Sequence, residues 1–168
     1  MKNMIIYHKN KHLLQVDDFY FKCCIGKNGT SKNKLEKDKK TPQGIFNIEH
    51  LYYRKDRIKN FSLKLKKVAI KKNMGWSDDV KSKKYNKLIK INNHNDPGHE
   101  KLYRKDYKYD LLIPIKFNFK RPIPKLGSCI FFHITKNYQS TAGCIALKKT
   151  DFLIMLKLIN RKTKVIIN

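Results

Sequence analysis

The sequence predicts a mainly β, single-domain protein with few short helices. Three observations lead there. Apolar, β-branched and aromatic runs recur along the chain: Met4–Tyr7, Leu13–Val16, Phe19–Ile25, Gly44–Ile48, Ser62–Ile70, Tyr109–Ile115, Cys129–Ile134 and Lys164–Ile167. Turn-forming pairs such as Asp17-Asp18 and Asn28-Gly29 separate them. One segment alone carries a clear helical period, with Phe152, Met155, Leu156 and Ile159 at i, i+3, i+4 and i+7. The chain of 168 residues shows no repeat and no linker, so one domain over 1–168 is expected.

Each element has a local reason. Asp17-Asp18 joins Leu13–Val16 to Phe19–Ile25 as a hairpin. Residues 27–40 are polar, Lys-rich and aperiodic, and read as a loop, as does Asn92–Gly98. Ser82–Ile89 fits a short helix or an extended segment equally well. Pro114 suits the end or edge of its strand, because it has no N–H for a ladder. Pro122, Pro124 and Gly127 turn the chain into Cys129–Ile134. Thr150 is placed to cap the helix, with Asp151 in its first turn.

The chemistry centres on His133 and Cys144. With a period of two, His133 shares a strand face with Phe131 and Cys129. Ten residues separate His133 from Cys144, enough for a loop that brings the chain back beside that strand. Gly143 permits a backbone conformation closed to bulkier residues, so a tight turn can lift the thiol out of the sheet. A cysteine becomes a nucleophile near neutral pH when a base assists it, and imidazole is the usual base. The bland alternative is an inert core cysteine and a satisfied histidine; the surrounding residues weigh against it.

Those residues, Thr141-Ala142-Gly143-Cys144-Ile145 after the strand histidine, resemble the signature of the L,D-transpeptidase catalytic domain (YkuD) family. Gly26-Lys27-Asn28-Gly29 and Thr41-Pro42-Gln43-Gly44-Ile45-Phe46 resemble its N-terminal block. Met74-Gly75-Trp76-Ser77-Asp78-Asp79, Tyr85-Asn86, His99-Glu100-Lys101-Leu102 and Asp110-Leu111 resemble a subgroup of small bacterial members. The likeness covers roughly residues 20–168. It implies a β-sandwich-like core and acyl transfer on peptidoglycan stem peptides: Cys144 as nucleophile, His133 as base, Gly143 and Thr141 at the oxyanion turn. Cross-linking through a thioester is the expected reaction, with carboxypeptidase trimming of the same stems as the alternative. Trp76 and Tyr138 are candidate substrate-binding walls, although core packing is the more ordinary role for a lone tryptophan. Ala142 and Ala146 stand where many members have His and Arg, and Ile134 where a Gly follows the strand histidine. Those differences bear on substrate recognition.

Composition narrows the rest. The net charge of +26 is carried mainly by Lys, with Arg only at 54, 57, 104, 121 and 161. The Lys is spread along the chain amid abundant Asn and Ile, which fits codon bias, and sequence-reading proteins favour Arg for bidentate base contacts. Weak, non-specific polyanion binding is therefore expected, and a basic wall- or nucleic-acid-binding protein with a vestigial site is the competing class. Cys23 and Cys24 are adjacent and make no disulfide framework. Neither they nor His94 with His99 have the spacing of a zinc site, so no metal and no cofactor are expected. No apolar run reaches membrane-spanning length. The first nine residues lack the apolar stretch of a secretory leader. The resemblance implies the periplasm or cell envelope, and the missing leader leaves a cytoplasmic location open.

Overall fold

The computed structural model describes residues 4–59, 63–92 and 98–168. The strands are β1 (Met4–His8), β2 (Leu13–Val16), β3 (Phe19–Cys24), β4 (Thr30–Ser31), β5 (Thr41–Pro42), β6 (Gly44–Asn47), β7 (Leu51–Tyr53), β8 (Lys67–Ala69), β9 (Met74–Ser77), β10 (Leu88–Lys90), β11 (His99–Lys101), β12 (Leu111–Pro114), β13 (Phe131–Ile134), β14 (Ile145–Leu147) and β15 (Lys164–Ile167). A helix, α1 (Lys149–Leu158), lies between the last two. Strand makes up 37% of the structure and helix 8%, so the mainly β prediction holds.

One ten-stranded sheet runs in the order β6-β15-β1-β2-β3-β14-β13-β12-β7-β8. β1 pairs in parallel with β15, so the two ends of the chain meet inside the sheet. The N-terminal strands are thus integral to the fold, beyond the residues that carried the sequence resemblance. The sheet curls around a core built from alternate residues: Ile5 and Tyr7, Leu14 and Val16, Leu111 and Ile113, Phe132 and Ile134, Ile145 and Leu147. Phe152, Met155 and Leu156 of α1 pack into the same core, as their helical spacing predicts. Full burial of each such side chain is worth about 1.5–3 kcal/mol.

The opposite face of the β12–β13–β14 region carries a second core of Leu112, Phe131 and Cys144 with Trp76, Leu102 and Tyr109. A small three-stranded sheet, β10-β9-β11, supplies Trp76 and covers this face. The two layers match the sandwich-like expectation, and the candidate residues Cys144 and His133 lie on the face between them.

Several boundaries differ from the sequence reading. The strand expected over Cys129–Ile134 starts at Phe131, because Cys129 takes a left-handed conformation with φ 54°. Tyr109–Ile115 shortens to β12, with Pro114 at its last position, where the missing N–H costs no ladder bond. Of Ser62–Ile70 only Lys67–Ala69 is strand, and Ser62 lies outside the described residues. Within Asn92–Gly98, residues 93–97, His94 among them, also lie outside. Residues 82–87 form turns that lead into β10. Thr150 is not the helix cap. A single residue, Lys148, separates β14 from α1 and takes the cap position without a side-chain bond, so Thr150 falls inside the first turn. The β2–β3 hairpin is as expected: Val16 pairs with Phe19, and Asp17 occupies φ 51° in the two-residue turn.

Candidate active site

The site rests on the parallel pairing of β13 with β14, which sets Phe132 against Ile145 and His133 against Ala146. Cys144 precedes β14 by one residue and so lies opposite Phe131. In a paired register side chains alternate faces together. Phe131, His133, Cys144 and Ala146 therefore point to one side, away from the main core. His133 and Cys144 both line a cleft of about 330 Å³.

Hydrogen bonds fix the histidine tautomer. His133 Nδ1 donates to the Ile134 carbonyl at 2.9 Å. A carbonyl can only accept, so Nδ1 carries the proton and Nε2 keeps a bare lone pair. The bond uses the backbone of residue 134, so an isoleucine side chain there is no obstacle. Tyr109 packs edge-on against the imidazole, with ring centroids 5.4 Å apart. Burial pushes the His133 pKa down to about 4.

Cys144 is 8% exposed. Its thiol donates to the Cys129 carbonyl at 3.1 Å, and the Phe131 N–H donates to its sulfur at 3.4 Å. Burial raises its pKa to about 12, and the nearby Glu100 carboxylate adds to the rise. At neutral pH the resting pair is thus a neutral thiol and a neutral imidazole. The left-handed turn at Cys129 aims the carbonyl that holds the thiol proton.

Four residues shape the turn that carries Cys144. Gly143 sits at φ 147°, and a Cβ there would come within 2.9 Å of the Lys40 carbonyl oxygen. Thr141 Oγ1 donates to the Cys144 carbonyl at 2.6 Å and accepts from the Gly143 N–H at 3.1 Å. Thr141 is therefore an organiser of the turn, and the Gly143 amide is already committed to it. Thr41, fully buried in the Thr-Pro block, donates to the Gly143 carbonyl at 2.8 Å and accepts from the Gly26 N–H at 2.9 Å. Gly26 must be glycine, because a Cβ would approach the Lys39 carbonyl oxygen at 2.4 Å. The resemblance marked Thr41 and Gly26 as motif residues; the structure shows that they brace the cysteine turn from a hundred residues away.

Thr41→Val removes both bonds at a buried position. Two lost hydrogen bonds with unsatisfied partners cost about 2–4 kcal/mol. A clear drop in denaturant midpoint is expected, together with slower alkylation of Cys144. Thr41→Ser, which keeps the hydroxyl, should recover most of both.

Acids and bases share the cleft. Glu36 accepts from the Tyr85 hydroxyl and from Ser128 Oγ at 2.8 Å, which ties the loop of residues 27–40 to the turn before β13. Glu100 accepts from the Tyr109 hydroxyl at 2.9 Å and pairs with Arg104. Burial, then Glu36, raises the pKa of Asp78. Arg104, Lys108 and Lys136 line the cleft as well.

The two expected substrate walls lie elsewhere. Trp76 is 2% exposed; its Nε1 donates to Asn86 Oδ1 at 2.9 Å and its ring packs edge-on against Phe131. It backs the cleft floor and does not line the cleft. Half-buried Tyr138 lines a neighbouring groove with Lys22, Cys23 and Cys24, with Lys22 Nζ 4.6 Å from its ring centroid. Ser140 borders both spaces. Sequence reasoning left Tyr109, Glu100 and Lys34 without roles. The His99-Glu100 run was noted, but nothing local said that it faces the thiol.

Burial of neutral His133 makes stability depend on pH. Its folded pKa lies near 4 and the unfolded value near 6.5. Between these values the unfolded chain binds more protons, so stability falls as pH drops from about 6.5 to 4. The loss is about 3 kcal/mol. Melting curves across that range should show it, and His133→Ala should flatten that part of the profile.

A sequence model of the L,D-transpeptidase catalytic domain (YkuD) matches residues 2–167. No curated protein matches the chain. Among solved structures, an L,D-transpeptidase from Mycobacterium smegmatis is similar at 12% identity and a TM-score of 0.47. The alignment covers 98% of this chain and 58% of that one.

Proposed function

The chain belongs to the L,D-transpeptidase catalytic domain (YkuD) family, and on that premise we propose that Cys144 and His133 perform cysteine-dependent acyl transfer on peptidoglycan stem peptides at the cell envelope. The observation that carries this reading is the β13–β14 register, which sets the thiol and the bare Nε2 lone pair on one face of one cleft.

The steps follow from the hydrogen bonds. The thiol proton turns from the Cys129 carbonyl toward His133 Nε2 by rotation about the Cβ–Sγ bond. Nε2 takes that proton as the sulfur attacks a stem-peptide carbonyl. The Gly143 N–H is held by Thr141, so the developing oxyanion falls to the Cys144 amide. The imidazolium returns the proton to the nitrogen of the departing terminal residue, leaving a thioester on Cys144. An amine of a second stem then attacks the thioester carbonyl and gives its proton to Nε2; the C–S bond breaks as the cross-link forms, and Nε2 returns the proton to the Cys144 sulfur. Water in that place trims the stem. Arg104, Lys108 and Lys136 supply positive charge for a substrate carboxylate.

Incubation with a purified tetrapeptide stem tests the proposal. Release of the terminal residue with a cross-linked dimer supports transpeptidation. Release with only the shortened stem selects the carboxypeptidase. No turnover and no covalent adduct would refute both. Among the described residues no helix is long and apolar enough to cross a membrane.

A further inference from the structure

Lys34 is a buried cation for which the acyl-transfer steps above have no use. It is 4% exposed, in a protein whose other lysines lie largely at the surface. Its Nζ donates to Asp38 Oδ1 at 2.6 Å and to the Leu35 carbonyl at 2.6 Å. Asp38 is itself fixed by the backbone N–H groups of Leu35 and Lys40, at 2.8 and 2.9 Å. Burial opposes ionisation of Asp38, but these N–H groups and the ammonium outweigh it and hold the carboxyl below its usual range.

The side chain runs between two glycines. A Cβ on Gly127 would lie 3.2 Å from Lys34 Cγ and 3.3 Å from Nζ, and a Cβ on Gly143 would lie 3.6 Å from Cε. Lys34 therefore seats its charged end behind the Gly143–Cys144 turn and within the wall of the cleft. Two of the three N–H bonds are spoken for by Asp38 and Leu35. A cation so placed, partly shielded from water, favours any negative charge forming nearby.

We propose that Lys34 is a positioning charge for the nucleophile: its ammonium, pinned by Asp38 behind Gly143, supplies the positive field in which negative charge forms on the Cys144 sulfur and on the oxyanion above the turn. This rests on Cys144 being the nucleophile of the proposed reaction. The need is plain from the other groups that face the sulfur. Glu100 opposes a thiolate, while His133, Tyr109, Cys129 and Cys24 are neutral at neutral pH. Lys34 favours the thiolate. Asp38 and the Leu35 carbonyl, each 2.6 Å from Nζ, hold the ammonium in that place.

The test reads the thiol itself, apart from any stem peptide. The rate of iodoacetamide alkylation at Cys144, located by peptide mass spectrometry, is followed against pH for the wild type, Lys34→Met, Lys34→Gln and Lys34→Arg. Loss of the charge should slow alkylation roughly 10-fold at a fixed pH near 8 and move the pH profile upward by about one unit, the shift expected for a close charge. Lys34→Arg should stay near the wild-type profile. Lys34→Gln keeps a donor for the Leu35 carbonyl and serves if the methionine variant does not fold. An unshifted profile in a folded Lys34→Met or Lys34→Gln protein overturns the proposal. If the wild-type thiol alkylates and responds to Lys34 while no stem peptide is turned over, the acyl-transfer reading fails and the Lys34 assignment stands.

Discussion

Cys144→Ala is expected to abolish both turnover of stem peptides and any covalent adduct, a loss on the order of 10⁴-fold or more, as for other enzymes that lose their nucleophile. The fold should survive. The substitution removes one weak bond to the Cys129 carbonyl and one from the Phe131 N–H, a cost of about 1–2 kcal/mol. Mild alkylation of the wild-type protein should label Cys144 ahead of Cys23, Cys24 and Cys129. Burial pushes Cys23 to about 12, as it does Cys144, but Cys23 donates to the His12 carbonyl and neither it nor Cys24 borders the cleft. Cys129 shares the cleft, and its sulfur turns to the Trp76 carbonyl. Preferential labelling of Cys23 or Cys129 with an inert Cys144 would contradict this assignment.

His133→Ala should lower the acylation rate roughly 100-fold or more with the fold retained. The reason is specific to this site. The thiol is not ionised at rest, so it depends on a base at the moment of attack. Nε2 has its lone pair free because Nδ1 is committed to the Ile134 carbonyl. The wild-type rate should hold from neutral pH down toward the His133 pKa near 4, where the imidazole protonates and stops acting as a base. In His133→Ala that acid limb should vanish along with most of the rate. Wild-type-like acylation in the variant would mean that another group activates the thiol.

Much of this was legible in the chain because the signals were local. Apolar, β-branched and aromatic runs marked β1, β2, β13 and β15, and the i, i+3, i+4 spacing marked α1. The Gly143-Cys144 turn after a strand histidine marked the candidate nucleophile. What stayed hidden depends on distant partners. β9 and β11, Met-Gly-Trp-Ser and His-Glu-Lys, carry no alternation to read, and they are strands because they pair with each other over the second core. The loop of residues 27–40 has no periodicity, yet Glu36 ties it to Ser128 before β13 and Lys34 lies against Gly127 and Gly143. Trp76 could be read as a cleft wall or, more ordinarily, as core, and only its distant partners decide: its indole finds Asn86 and Phe131 behind the floor. The helix start was misplaced because β14 ends one residue before it, a spacing that propensity does not see.

The central claim is that Cys144 carries the acyl group. Rapid quenching of the protein with a tetrapeptide stem, then intact-mass and peptide-mass measurement, tests it most directly. A single acyl mass on the peptide holding Cys144, lost on hydroxylamine treatment as a thioester should be and absent from Cys144→Ala, is the expected result. An adduct on another residue, or stem turnover undiminished in Cys144→Ala, would contradict it.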